Sequence, residues 1–149
     1  MKKNQKKTLD ISIVILLSII TVIIAFYSMR LGRYVSLVIF GLGLVPLLVA
    51  YIFKISLKKM LPDIIFGLID NLLLIIPAIV GAQLFGAAGA LAGAIVGNAI
   101  SDSIAGIFEG SISEWLHTKG IDSTRTILGS SLGKMSGCLL LGIILIFFK

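Results

Sequence analysis

MLPDIIFGLIDNLLLIIPAIVGAQLFG at residues 60–86 and AGALAGAIVGNAISDSIAGIFEGSISEWL at residues 88–116 are two long apolar stretches with few charged residues. Each exceeds the roughly 20 residues that an α-helix needs to cross a bilayer. Polar side chains nevertheless lie in the middle of both, at Asp70 and Asn71 and from Asn98 to Asp102. Ionisable groups at that depth are costly unless they face a protein interior, a watery cavity or a cation. These residues therefore mark a candidate ion or proton site.

The composition of the whole chain is that of an integral membrane protein. Of its 149 residues, 58% are hydrophobic and only 13% are charged, and the mean hydropathy is +1.12. We expect one all-α, polytopic membrane domain over residues 1–149, with a two-helix part at 1–59 and a three-helix core at 60–148. The apolar runs predict five transmembrane spans, near 11–29, 35–53, 60–86, 88–116 and 127–148.

Basic residues cluster at the ends of the apolar runs, where they act as membrane anchors and leave no basic stripe for a nucleic acid. One side would carry Lys2, Lys3, Lys6, Lys7, Lys54, Lys58, Lys59, Lys119 and Arg125, and the other Arg30, Arg33 and Lys149. The excess of Lys and Arg predicts a cytoplasmic N-terminus and an outside C-terminus. No Arg- and Ser-rich transit peptide precedes the first span, which favours a prokaryotic cell membrane.

The third span carries two aspartates on one helical face, because Asp63 and Asp70 are seven residues apart. Asp63 would lie near the inner interface and is expected to be solvated. Pro77 has two open interpretations. It either bends the helix only, or it frees the carbonyl of Leu73 to act as a cation ligand beside Asp70.

Asp70 and Asp102 are both expected near the bilayer midplane, counting 1.5 Å per residue from the inner ends of their spans. Either the two carboxyl groups are protonated, or they share a bound cation. In the second case the metal site comprises Asp70, Asn71, Asn98, Ser101 and Asp102. Such oxygen donors suit Ca²⁺ or Na⁺, and Mg²⁺ stays possible. The structural alternative is that the aspartates only hydrogen-bond across helices.

Small residues recur every fourth position in the last two spans, at Gly89, Gly93 and Gly97 and at Gly129, Gly133 and Gly137. Such faces let helix backbones approach closely. We expect these two faces to pack on one another, and the long glycine faces favour a homodimer. Glu109 and Lys134 fall at similar depths, which predicts an ion pair between them.

The third and fourth spans resemble the transmembrane protein 65 family of mitochondrial inner-membrane proteins and their prokaryotic relatives. Residues 67–71 are similar to its Gly-x-x-Asp-Asn segment, and residues 97–102 to its Gly-Asn-x-x-Ser-Asp segment. Residues 131–134 resemble its final-helix pattern, so the likeness covers roughly residues 60–148. It implies a role in sodium-dependent calcium extrusion, with Asp70, Asn71, Asn98 and Asp102 at the matching positions.

The sequence contains no Ser-His-Asp set, phosphate-binding loop or metalloprotease His-Glu pair, so we expect no enzyme and no resident cofactor. The first hypothesis is a sodium/calcium exchanger-like cation transporter whose partners are the bilayer, the small cations it carries and a second copy of itself. A non-transporting scaffold that regulates a separate transporter is the second. A proton-coupled cation carrier is the third.

Overall fold

The computed structural model describes residues 3–30, 32–121 and 126–148, of which most are helical and none forms a strand. The α-helices are α1 (Lys3–Met29), α2 (Val35–Ile52), α3 (Leu57–Thr118) and α4 (Ile127–Leu140). Short 3-10 helices at Gly32–Tyr34 and Leu141–Phe148 precede α2 and extend α4. Four helical segments in this part of the chain are long and apolar enough to cross a membrane. Lys2, Arg125 and Lys149 of the basic pattern lie outside the described residues.

Helix α3 is a hairpin rather than one continuous rod. Its 62 residues are interrupted at Phe85, with φ −137°, and at Gly86, with φ +61° and ψ −142°. A residue with a side chain rarely adopts the Gly86 conformation, so glycine makes the reversal possible. The first arm spans residues 57–84 and the second arm 87–118, so the break falls at the last two residues of the third predicted span, 60–86.

The two arms of α3 lie antiparallel in backbone contact, which we call the arm seam. A Cβ atom on Gly89 would overlap the carbonyl oxygen of Gly81, and one on Gly93 would overlap that of Pro77. One turn further along, a Cβ on Gly97 would lie 2.8 Å from the Cα of Leu74. The fourth-position glycines of the second arm therefore pack on the first arm, and the expected contact with the glycines of α4 is wrong.

Helix α4 packs between the first arm of α3 and α2. Its glycines pack against the first arm, because a Cβ on Gly137 would overlap the carbonyl oxygen of Ile64. On the α2 side, the Ser136 hydroxyl donates a 2.7 Å hydrogen bond to the Gly43 carbonyl. A Cβ on Gly43 would lie 2.7 Å from the backbone nitrogen of Leu140. The order of contacts makes α4 parallel to the first arm and antiparallel to α2.

Helix α1 lies at the edge of the bundle, where it contacts α2 and α4. Apolar side chains along it are exposed, among them Leu16, Ile23 and Phe26. In water an apolar surface of this extent would be unfavourable. It fits a helix whose outer side faces lipid tails.

Candidate functional site

Asp70 lies in the arm seam and meets Ser101 of the second arm. The Ser101 hydroxyl, which is fully buried, is 2.5 Å from Oδ1 of Asp70 and 3.0 Å from the Asn98 carbonyl oxygen. A hydroxyl has one proton, and a bond to a carboxylate is stronger than one to a carbonyl. An ionised Asp70 therefore accepts the hydrogen bond from the Ser101 hydroxyl. A protonated Asp70 can instead donate to Ser101, which then donates to the Asn98 carbonyl.

Asn98 and Asp102 form a second polar pair, one helical turn apart on the second arm. The Asn98 amide nitrogen donates a 3.3 Å hydrogen bond to Oδ2 of Asp102, and both side chains are exposed. Their neighbours Ser103, Gly106 and Gly110 are also exposed, and spacings of three and four residues place this set on one side of the helix. We call Asn98, Asp102, Ser103, Gly106 and Gly110 the outer face.

Asn71 turns toward α4 instead of toward the arm seam. Its amide nitrogen donates a 2.9 Å hydrogen bond to the carbonyl of Cys138. The Leu73 carbonyl, which Pro77 was expected either to free or to leave unaffected, lies against the second arm, 3.1 Å from where a Cβ of Gly97 would be. Close backbone packing therefore occupies the space between this carbonyl and Gly97.

The five predicted ligands thus form two groups and one separate residue. Asp70 joins Ser101 in the arm seam, Asn98 joins Asp102 on the outer face, and Asn71 bonds to α4. Ser101 and Asp102 are consecutive, so the two groups lie at the same level of the second arm. Within the described ranges, no three His, Cys, Asp or Glu side chains converge on one point.

Asp63 is buried, and the expectation that it is solvated is wrong. It is only 1% exposed, and its Oδ1 accepts a 2.7 Å hydrogen bond from the Ser130 hydroxyl. The cause is the close approach of α4, since a Cβ on Gly133 would lie 2.8 Å from the Cβ of Asp63. A glycine opposite the aspartate lets α4 cover it, and the serine satisfies the carboxylate.

The predicted ion pair between Glu109 and Lys134 is confirmed. The Lys134 ammonium lies 3.7 Å from Oε2 of Glu109, with the side chains 40% and 9% exposed respectively. The same ammonium sits 4.0 Å from the ring centre of Phe66. This contact joins the second arm of α3 to α4.

Sequence reasoning missed a cavity of about 290 Å³ at the end of the bundle where α3 and α4 begin. Lysines from three segments line it, at Lys6, Lys54 and Lys59. Their positions at the ends of apolar runs predict only separate membrane anchors. The predicted topology places all three lysines on the same side of the membrane, and this shared location is the signal that indicates a common site.

Comparison of the chain with models of known protein families, with curated proteins and with solved structures finds no match.

Proposed function

We propose that the protein is a membrane cation transporter, most closely a sodium/calcium exchanger. The observation that carries the proposal is the Asp70–Ser101 contact inside the arm seam. Asp70 is thirteen residues into the first arm, about 20 Å from its start at 1.5 Å per residue. A carboxyl group at the middle of a span is costly unless it serves a passenger or a structural bond.

The proposed topology has five transmembrane helices: α1, α2, the two arms of α3, and α4 with its 3-10 extension. Asp70 and Asp102 would bind the cation at the midplane, with Asn98 and Ser101 as neutral donors. Asn71, the fifth predicted ligand, bonds to α4 and is left out of the proposed site. The N-terminus would be cytoplasmic and the C-terminus outside, in a prokaryotic cell membrane, following the excess of basic residues on one side.

The outer face supports a homodimer in which the site is completed by a second copy. Asp102 is exposed at a depth where lipid would have to solvate a carboxyl group, at a cost of several kcal/mol. Nothing lies within 4 Å of a Cβ built on Gly106 or Gly110. These open glycines would let a second helix approach and cover Asp102.

Calcium and sodium are proposed as the passengers for two reasons. Carboxylate and amide oxygens are ligands of hard cations. The segments at residues 67–71 and 97–102 also resemble those of the transmembrane protein 65 family, which is linked to sodium-dependent calcium extrusion.

A proton-coupled carrier is the second candidate, because the contacts of Ser101 accommodate both protonation states of Asp70. When Asp70 is ionised, the Ser101 hydroxyl donates a hydrogen bond to it. When Asp70 is protonated, its carboxyl group donates to the Ser101 oxygen, and the Ser101 hydroxyl donates to the Asn98 carbonyl. A non-transporting scaffold is the third, because the Asp70–Ser101 bond also joins the arms.

Flux measurements in liposomes separate the three candidates. Purified protein is reconstituted, and Ca²⁺ uptake is followed under an imposed Na⁺ gradient, a pH gradient without Na⁺, or no gradient. The exchanger predicts uptake that follows the Na⁺ gradient and is abolished by Asp102→Asn. The matched control is Asp10→Asn, the same chemical change near the start of α1, which should transport normally.

Uptake that follows pH and ignores Na⁺ would replace the exchanger with the proton-coupled carrier. Absence of uptake under every gradient, from protein that is folded and inserted, would favour the scaffold.

A further inference from the structure

The cavity at the basic end of the bundle has the features of an anion site. It is lined by the start of α1, the link between α2 and α3, and the starts of α3 and α4. Its lining residues are Lys6, Phe53, Lys54, Ile55, Ser56, Lys59, Met60, Asp63, Thr126, Gly129 and Ser130.

Positive charge dominates this lining. Lys6, Lys54 and Lys59 come from three different segments and converge on one space. Among the described lining residues, the opposing charge is the Asp63 carboxylate, whose Oδ1 already accepts a hydrogen bond from the Ser130 hydroxyl. Asp63 is only 1% exposed, whereas Lys6 and Lys54 are exposed.

The N-termini of two long helices add to this charge. Ser56 precedes α3 and makes no side-chain cap hydrogen bond, and Thr126 precedes α4 and accepts from the Gly129 amide. Both residues line the cavity. Amide groups at the start of a helix carry partial positive charge and favour an anion.

The cavity adjoins an exposed apolar surface. A neighbouring depression is lined by Tyr51, Ile52, Lys54, Ile55 and Ser56, so the two spaces share Lys54 and the residues after it. Tyr51 and Ile52 are 78% and 63% exposed. A ligand with a phosphate in the cavity and acyl chains along this surface would satisfy both regions.

We propose that this cavity binds a phosphate-bearing anion, and that the ligand is the headgroup of an anionic phospholipid. Basic pockets between transmembrane helices bind such headgroups by charge, and each lysine near the surface contributes about fivefold in affinity. The proposal is independent of transport, because it concerns the opposite end of the first arm from the hairpin turn and does not use Asp70 or Asp102.

The test is a thermal-stability titration of the full-length protein in detergent. The probes are short-chain phosphatidylglycerol, short-chain phosphatidylcholine and inorganic phosphate. We expect phosphatidylglycerol to raise the melting temperature and phosphatidylcholine to leave it unchanged. The combined variant Lys6→Gln with Lys54→Gly should weaken phosphatidylglycerol binding about 25-fold, from two lysines.

Glycine replaces Lys54 in this variant because of the backbone conformation at that position. Lys54 has φ +55°, a left-handed conformation that glycine adopts at no steric cost. The variant therefore removes the charge without straining the fold. The matched control is Lys7→Gln with Lys58→Gln, which removes two lysines of the same end that do not line the cavity, and should bind like the wild type.

Three results would overturn the proposal or its lipid assignment. An equal loss in the control variant would show that general surface charge, not the cavity, attracts the lipid. An equal response to phosphatidylcholine would exclude an anion site. Inorganic phosphate binding as tightly as phosphatidylglycerol would retain the anion site and overturn its assignment to lipid.

Discussion

Two sides of the second arm of α3 carry small and polar residues, but they differ in packing. In the arm seam, Gly89, Gly93 and Gly97 meet backbone directly, and the Asp70 carboxyl is bonded by the buried Ser101. On the outer face, Gly106 and Gly110 meet nothing within 4 Å, and Asp102 is exposed. The small and polar residues pack against another helix on one side and are exposed on the other. In the proposed dimer, a second copy would cover the outer face.

The largest expected difference between the two sides is steric. Gly93→Leu forces a side chain into the Pro77 carbonyl, and overpacking against a backbone that cannot move aside should cost about 3 kcal/mol or more. The measurement is the melting temperature and yield of monodisperse protein in detergent.

Gly110→Leu is the control for that change, because a Cβ at Gly110 enters open space. It should keep the wild-type melting temperature in detergent that separates single chains. Equal destabilisation by both variants would contradict the contrast between the arm seam and the outer face.

Two serines of the second arm give the next largest contrast. Ser101→Ala removes the donor to Asp70, and a hydrogen bond to a charged group contributes about 2 kcal/mol. Ser103→Ala removes only an exposed 3.3 Å bond to the Ala99 carbonyl and should change stability by less than about 0.5 kcal/mol. Denaturant unfolding in mixed micelles measures both. Similar values for the two serines would mean that the Asp70–Ser101 bond adds no stability.

The third expected effect concerns the covering of the outer face. If a second copy packs there, Gly110→Leu should weaken dimerisation in liposomes at least about tenfold, or about 1.4 kcal/mol, since bulky side chains block close helix approach. Single-molecule counting of subunits reports the dimer fraction. Ile19→Leu on the exposed side of α1 is the matched control. An unchanged dimer fraction in Gly110→Leu would remove the outer face as the dimer contact.

The smallest effect is expected at the two glutamates of the second arm. Glu109→Gln removes the charge opposite Lys134, which is 40% exposed, but keeps a side-chain oxygen that can accept from the ammonium, so the expected loss is at most about 1 kcal/mol. Glu114→Gln, at an exposed position, should be neutral in the same unfolding assay. Neither change should affect Ca²⁺ flux. Loss of flux in Glu109→Gln would make the ion pair part of the transport path.

Run length and glycine spacing predicted the helices well because both reflect local requirements. The break at Phe85 and Gly86 falls at the end of the third predicted span, and an approach close enough to exclude a Cβ occurs at the fourth-position glycines. Depth along the helices also predicted the Glu109–Lys134 contact.

Which helices pack against one another could not be predicted in the same way. Glycines on two spans are compatible with several pairings, and only the parallel placement of α4 against the first arm assigns Gly133 and Gly137 to that arm. The same placement buries Asp63 and turns Asn71 toward Cys138. Rotation of each helix about its axis decides these outcomes, and helical periodicity alone does not fix rotation between helices.

The most direct measurement of the central claim is equilibrium Ca²⁺ binding to the purified protein by isothermal titration calorimetry, with and without competing Na⁺. The account predicts binding that Na⁺ displaces and that is lost in Asp70→Asn and in Asp102→Asn, while Asp10→Asn binds normally. Wild-type affinity in both site variants would contradict the claim that these two carboxylates hold the cation.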